Sequence, residues 1–250
     1  MGKLKIVKSL KDGFESVRTN PKLILVTLVY LGIITGLISP ILPFQNPDYI
    51  KNVNVLEIFP LFFGIILVTN LVSIFSTGLL IALVAKGKRF PLAAAIRFVM
   101  SRYPTLVLSS ILLLAAVGLG FLIFGVGGIL LLGATGLGGA TPFLFLIIFP
   151  VMVFASLKFI YIYPTIVLDN KGAVESLKSS WRITGGNLRG LLGMVILITV
   201  ISVIIELPVI ISQLLGNLII ASILNIIVSL FLTPWTMATI THSYLQLRKR

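Results

Sequence analysis

The chain contains no cysteine and a single histidine, His242, among its 250 residues. Without cysteine it forms neither disulfides nor thiolate metal sites, and one histidine excludes a multi-histidine metal site within one chain. Acidic residues are also scarce, seven Asp and Glu against twenty Lys and Arg. The sequence has no HExxH or GxSxG motif and no paired carboxylates within an apolar block. We therefore predict no catalytic residue, no metal, no cofactor and no enzymatic activity.

Charged residues make up 11% of the chain and hydrophobic residues 58%, against about 25% and roughly 45–50% in soluble domains. The apolar residues fall into six blocks, each long enough to cross ~30 Å of hydrocarbon as a helix. We therefore predict an all-α polytopic protein of the cell (plasma) membrane, with one transmembrane domain over residues 1–250. The second and sixth blocks are longer than one perpendicular crossing needs. The blocks cover residues 23–43, 58–84, 105–124, 142–162, 191–211 and 218–244.

Positive charge is concentrated in alternate connections between these blocks. Of the 20 Lys and Arg, 19 lie in residues 1–22, 86–102, 158–189 and 248–250, whereas Lys51 lies in a connection of the other set. The positive-inside rule assigns such segments to the cytoplasm, which predicts six transmembrane helices with both termini inside. This topology accounts for the net charge of +13 without a nucleic-acid partner. It also predicts that the cytoplasmic face attracts membrane lipids with anionic headgroups.

Two short segments recur about a third of the chain apart. SVRTNPKLIL and FVMSRYPTLVL each place an Arg just before an x-Pro pair that opens an apolar block, and their prolines, Pro21 and Pro104, are 83 residues apart. Such a period indicates an internal repeat. Each unit would hold a cytoplasmic amphipathic helix, an outward crossing and an inward crossing, so that the units are parallel around an axis along the membrane normal. The three predicted units cover residues 1–85, 86–170 and 171–250, with approximate limits.

The element that introduces each unit is predicted to be a short helix in the membrane interface. In the first and third of these elements, apolar residues recur at the spacing of one helical face. They are Leu4, Val7, Leu10, Phe14 and Val17 in the first, and Val174, Leu177, Trp181 and Thr184 in the third. A helix with one basic face and one apolar face lies in the plane of the interface.

The stretch SSWRITGGNLRGLL (179–192) is interpreted as the corner where the third interfacial helix turns into the membrane. Gly185-Gly186 is predicted to end the interfacial helix through a left-handed conformation, and Asn187 to cap the next helix. An aromatic side chain and arginines suit headgroup depth. The stretch therefore has two possible interpretations: a structural corner, or a site that binds a specific headgroup. The headgroup candidates are Trp181, Arg182 and Arg189, with Arg97 and Arg102 in the second unit.

The segment YPTIVLDNKGAVESLKSSWRITGGNLRGLLGMVIL (163–197) resembles a prokaryotic membrane-protein family. That family is typified by the membrane domain attached to some glycerophosphoryl diester phosphodiesterases and by related stand-alone six-helix proteins. The matching pattern is a Tyr-Pro that closes a helix, Asp169, a Ser/Ala-Leu-x-x-Ser-Trp-Arg run and a Gly-Asn before the next helix. DGFESVRTNPKLIL (12–25) is similar to the start of such proteins. The resemblance implies a six-helix membrane fold. It implies no phosphodiesterase activity, because this sequence lacks the histidines and metal-binding carboxylates of the attached catalytic barrel.

Polar residues inside the apolar blocks are the candidates for a transport path. Glu206 lies well inside an apolar run, and intramembrane carboxylates often mark ion or proton paths. Its alternative interpretation is an interfacial carboxylate beside Pro208. Small polar residues form stripes in the second and sixth blocks, which either line a hydrated path or hydrogen-bond between helices. The path candidates from these stripes are Asn70, Ser73, Asn225 and Ser229.

The Gly-rich stretch GVGGILLLGATGLGGATP (125–142) is interpreted either as a flexible interfacial linker or as a re-entrant loop.

For the whole protein, the leading hypothesis is transport or lipid handling along a path among the helices. The alternative is a membrane scaffold or partner subunit that docks another protein at the basic cytoplasmic face. An intramembrane enzyme is the third and weakest class.

Overall fold

The computed structural model describes residues 4–38, 55–121 and 141–248, and the regular structure in these ranges is helical throughout. The all-α prediction is confirmed there. Lys51 and the Gly-rich stretch as far as residue 140 lie outside the described residues, so neither interpretation of that stretch is tested. The described helices, in chain order, are α1 (Ile6–Thr19), α2 (Pro21–Ile38), α3 (Val55–Lys86), α4 (Leu92–Met100), α5 (Tyr103–Phe121), α6 (Thr141–Phe159), α7 (Ile162–Asp169), α8 (Ala173–Gly185), α9 (Leu188–Leu214) and α10 (Leu218–Arg248).

The described residues contain four to six candidate membrane spans. Two bent helix pairs reach the length of a span if each pair is counted as one: α1 with α2, bent by 82°, and α4 with α5, bent by 56°. Four segments are long and apolar enough by themselves. They are Phe59–Lys86 of α3, Phe149–Asp169 of α6 and α7, Leu188–Leu214 of α9 and Leu218–Arg248 of α10.

Proline and block length explain several of these boundaries. Pro21 is the first residue of α2 and Pro104 the second of α5, so both open a helix as predicted. A first-turn proline is tolerated because the N–H that it lacks has no intrahelical partner there. Helices α3 and α10 have 32 and 31 residues. As predicted from their blocks, they exceed the ~20 residues that a perpendicular crossing needs.

The fourth apolar block is interrupted. Helix α6 ends at Phe159 and α7 begins at Ile162. Tyr163 and Pro164 therefore lie in the first turn of α7 and do not close a helix, which corrects the pattern that the resemblance implied. The first turn is again the position where proline costs no helical hydrogen bond.

Ser180 of α8 bridges this interruption. Its hydroxyl accepts a hydrogen bond from the backbone N–H of Tyr161 at 3.2 Å and donates one to the carbonyl of Lys158 at 2.7 Å. Both contacts are buried, where an unpaired backbone group would be costly. One small side chain thus supplies the partners that the helical ladder lacks at the break, and it fixes α8 against α6 and α7.

The corner between α8 and α9 has the predicted limits but not the predicted caps. Helix α8 ends at Gly185 and α9 begins at Leu188. Gly186 has φ −85°, so the prediction of a left-handed stop is wrong, and Asn187 occupies the N-cap position without a side-chain cap hydrogen bond. The connection has only two residues, Gly186 and Asn187, and neither adopts a left-handed conformation.

In the short helices α1 and α8, most of the fully buried residues are small, and several large apolar side chains are exposed. In α1, Ser9, Gly13 and Val17 are buried, whereas Val7 is 76% exposed and Phe14 is 48% exposed. Gly13 lies directly against Thr239 of α10. Small side chains allow helices to approach closely, which is the usual packing of helices in a membrane.

Helix α8 follows the same rule. Its buried face consists of Ala173, Ser176, Ser180 and Thr184, while Val174 and Trp181 stay about half exposed. Large apolar side chains such as Val7 and Trp181 therefore stay exposed, whereas Leu10 and Leu177 are partly buried against the core.

The best-packed part of the bundle lies where α3, α7 and α10 end. Every residue from Leu79 to Val84 in α3 is buried, as are Leu23 of α2 and Tyr244 of α10. Around the turn between α9 and α10, in contrast, Leu214 and Leu215 are 82% and 78% exposed. The tightest packing is therefore at the same end of the bundle as Lys86 and Arg248.

Candidate functional site

The residues proposed for a transport path are dispersed on helix surfaces. Glu206 is exposed on α9. Asn70 donates to the carbonyl of Ile66 at 2.8 Å and Ser229 donates to Asn225 at 3.4 Å, both within their own helices. Ser73 is half-buried in α3. The hydrogen bonds that the described stripes make therefore support their own helices and do not join α3 to α10.

The headgroup candidates fall into two groups. Trp181, Arg182, Arg189 and Arg97 are exposed, on the two short helices α8 and α4 and at the start of α9. Arg102 differs, because it is half-buried and lines a cavity described below. Sequence position alone did not separate these two environments.

The first cavity is an open groove of about 580 Å³ beside α8, called here the Trp181 groove. Its floor is apolar and aromatic, and two cationic side chains stand at its edge. Its lining residues are Phe159, Leu177, Lys178, Trp181 and Arg182. Such a surface combines apolar contact with positive charge, as the headgroup region of an anionic phospholipid requires.

Lys158 lies beneath this groove, where it is only 7% exposed. Its Nζ is 4.6 Å from the centre of the Trp181 ring and 5.4 Å from that of Phe154. The side chain therefore does not extend to the surface, although Lys158 lies in the last turn of α6. Two aromatic faces stabilise its charge through cation–π interactions.

The second cavity, called here the basic pocket, measures about 210 Å³ and lies where α3, α7 and α10 end beside the α4–α5 corner. Two of its cations face the same aromatic ring. The Arg102 guanidinium carbon is 3.8 Å from the centre of the Phe98 ring, and Lys86 Nζ is 5.6 Å from it. The pocket is lined by Ala85, Lys86, Phe98, Arg102, Leu168, Leu245 and Arg248.

Asp169 stands beside the basic pocket and is already paired. Its Oδ1 is 2.8 Å from Nε of Arg248, and its Oδ2 accepts a hydrogen bond from the hydroxyl of Tyr244. The carboxylate therefore joins the end of α7 to the end of α10. It neutralises one of the three cations that line the pocket.

Arg102 is held by the residue that follows Asp169. Nε of Arg102 donates to Oδ1 of Asn170 at 3.1 Å. Asn170 has φ 55° and ψ 37°, a left-handed conformation that asparagine tolerates better than most residues. Nη1 of Arg102 is buried and has no hydrogen-bond partner among the described residues.

The sequence contained only weak signals for this arrangement. In the sequence, Arg102 is a headgroup candidate and Asp169 belongs to the motif that carries the family resemblance. Lys86 and Arg248 contribute only to the count of basic residues from which the topology is predicted. Residues 86, 102, 169 and 248 come together only through tertiary packing. In the described ranges, no three His, Asp or Glu side chains are close enough to hold a metal ion together.

Comparison with known proteins gives a family but no activity. No curated protein matches the chain, and no solved structure matches it. The model of one protein family, the domain of unknown function DUF7847, matches residues 4–247. The match covers nearly the whole sequence, including every residue that lines either cavity except Arg248. The chain therefore belongs to the DUF7847 family.

Proposed function

We propose that this is an integral protein of the plasma membrane with six spans and both termini in the cytoplasm. In the two bent pairs, α2 and α5 then cross the membrane, while α1 and α4 lie in its interface. The proposal is supported by the basic helix ends, since Lys86, Arg102 and Arg248 line one cavity and Lys22 donates to the carbonyl of Phe90. One end of the bundle thus collects cations that the positive-inside rule assigns to the cytoplasm.

We also propose that the chain consists of three parallel two-helix units. A short helix directly precedes a long one at α1–α2, α4–α5 and α8–α9. Each of these short helices buries a small residue: Gly13 in α1, Ala95 in α4 and Ser180 in α8. The left-handed residues that follow α3 and α7, Gly87 and Asn170, are 83 positions apart, as are the two helix-opening prolines. The resemblance to the phosphodiesterase membrane domain stays a prediction.

We propose that the protein binds and handles anionic phospholipids of the cytoplasmic leaflet, without catalysis, at the Trp181 groove. The observation that carries this proposal is the orientation of the short helices. Their small residues pack on the bundle, and large apolar side chains such as Val7, Met100 and Trp181 stay exposed. Exposed apolar faces on short helices with basic neighbours suit the membrane interface, where acyl chains cover them.

The groove provides a defined contact for one lipid. Its aromatic floor accepts the upper part of an acyl chain, while Lys178 and Arg182 face the phosphate. Glu206 and the polar stripes are exposed or half-buried on separate helices. A transport path through Glu206 and the polar stripes stays a prediction. The lipid contact at the Trp181 groove does not depend on such a path.

Native mass spectrometry of the protein extracted in mild detergent tests the groove. We expect the wild-type chain to retain one more phospholipid than the Lys178→Gln/Arg182→Gln variant, because each cation near the surface contributes ~1 kcal/mol to anionic lipid binding. The matched control is Lys8→Gln/Lys11→Gln, which removes the same charge from exposed positions of α1 outside the groove. Equal retention by all three proteins contradicts the proposal. A stoichiometric protein partner with only bulk lipid favours the scaffold function instead.

Labelling of single cysteines tests the topology, and the absence of native cysteine makes it simple. We expect a membrane-impermeant maleimide applied to intact cells to modify Asp48→Cys but not Lys88→Cys. Permeabilised cells provide the control, since both positions should then react. Labelling of residue 48 from the cytoplasmic side alone overturns the proposed topology.

A further inference from the structure

The basic pocket has an excess of positive charge that the chain does not neutralise. Three cations, Lys86, Arg102 and Arg248, line it, and Asp169 is the carboxylate beside it. One oxygen of that carboxylate forms an ion pair with Arg248 without a hydrogen bond, and the other accepts a hydrogen bond from Tyr244. Among the described residues, no carboxylate lies within ion-pair distance of Lys86 or Arg102. Two positive charges therefore remain available to a ligand.

Arg102 is fixed in a way that suits an oxyanion. Stacking on Phe98 and the bond from its Nε to Asn170 hold the guanidinium plane in place. Nη1 remains buried without a partner, and a buried unpaired charged donor is costly. A preorganised guanidinium with a free edge matches the geometry of a phosphate group, to which arginine donates two parallel hydrogen bonds.

The size of the pocket limits what it takes. A volume of about 210 Å³ corresponds to several water molecules at ~30 Å³ each in the liquid. It accommodates a phosphate with a small substituent and is too small for a whole phospholipid. Lys86 and Arg248 are exposed, so the pocket opens to the surface and the remainder of a larger ligand can stay outside.

We propose that the basic pocket is a binding site for a phosphomonoester, a phosphate group that carries close to two negative charges at neutral pH. The two unneutralised cations match that charge, which is ~−1.5 to −2 for a phosphomonoester, better than the single charge of a phosphodiester. The ligand is either the headgroup of a lipid such as phosphatidate or a small soluble phosphate. This inference does not rest on the lipid contact at the Trp181 groove, because different helices form the two cavities.

Two binding measurements on the purified full chain test the inference and distinguish the two sources. The first is equilibrium dialysis against radiolabelled inorganic phosphate. The second is native mass spectrometry after reconstitution in nanodiscs that contain phosphatidate and phosphatidylglycerol in equal amounts. Saturable binding of one inorganic phosphate indicates a soluble ligand. Retention of phosphatidate over phosphatidylglycerol without binding of inorganic phosphate indicates a lipid, and either result supports the site.

The variant Lys86→Gln links the binding to the pocket. Its ammonium makes no hydrogen bond to described residues, so the substitution should not disturb folding, whereas Arg102→Gln removes the contact with Asn170. We expect Lys86→Gln to weaken binding at least about tenfold, as the loss of a charge-assisted hydrogen bond does. Lys8→Gln, at an exposed position of α1 outside both cavities, should bind like the wild type. The inference is overturned if Lys86→Gln binds as well as the wild type. It is also overturned if inorganic phosphate does not bind and phosphatidate is not retained over phosphatidylglycerol.

Discussion

Replacement of Gly13 by alanine is expected to separate α1 from α10 and to destabilise the protein by about 2 kcal/mol. A Cβ at this position would be 3.0 Å from the backbone N of Thr239 and 3.1 Å from its Cα, and would overlap with Oγ1. The hydroxyl can rotate away, but the two backbone atoms move only if a whole helix shifts. In a chain of this size, the loss corresponds to a fall of roughly 4–8 °C in melting temperature.

Gly32→Ala in α2 is the matched control. Nothing lies within 4 Å of a Cβ built at Gly32. Alanine is favoured over glycine inside a helix by ~1 kcal/mol, so this variant should be at least as stable as the wild type. The two substitutions therefore change stability in opposite directions. A melting temperature of Gly13→Ala equal to that of Gly32→Ala would show that α1 does not pack against Thr239.

Asp169→Asn is expected to cost about 2 kcal/mol, even though the two side chains have nearly the same shape. The substitution removes the charge that pairs with Arg248 and leaves three cations around one cavity. Breaking a buried ion pair costs ~3–5 kcal/mol. The effect here should be smaller, because the side chain of Asp169 is 14% exposed but that of Arg248 is 46% exposed. Thermal unfolding monitored by circular dichroism measures the loss.

Salt dependence and a surface pair provide the controls for Asp169→Asn. Repulsion among the remaining cations is screened by salt, so the variant should recover part of its stability between low and high ionic strength. Glu15→Gln removes the carboxylate of an exposed pair with Arg18, whose side chains are 71% and 53% exposed. That change should cost no more than about 0.5 kcal/mol. Equal effects of the two substitutions would contradict a structural role for Asp169.

Helix type and most helix limits could be predicted from local signals. Long apolar blocks predicted α3, α9 and α10, and x-Pro pairs predicted the starts of α2 and α5, because these features act within a few residues. The break between α6 and α7 was missed for the opposite reason. It is stabilised by Ser180, about twenty residues further along the chain. No local pattern marks a hydroxyl that satisfies the backbone of another helix.

The site predictions also succeeded only where a local sequence pattern was sufficient. Trp181 and Arg182 were found because an aromatic and a cation on one short helix are a local signature of the membrane interface. The path candidates were chosen for being polar among apolar neighbours, yet polarity does not tell which way a helix faces, and Glu206 is exposed. The buried faces of α1 and α8 escaped notice because Ser9, Gly13 and Ser176 resemble ordinary surface residues in sequence.

The sequence by itself determined that this chain is helical, apolar enough for several membrane spans and basic at alternate connections. These properties depend on composition and on spacing along one segment. Only the tertiary structure decided which faces are buried and which cations are paired. Lys86, Arg102, Asp169 and Arg248 lie on four segments up to 162 positions apart, and a carboxylate neutralises only the cation that packing brings to it. The unneutralised charge of the basic pocket is therefore a property of the fold.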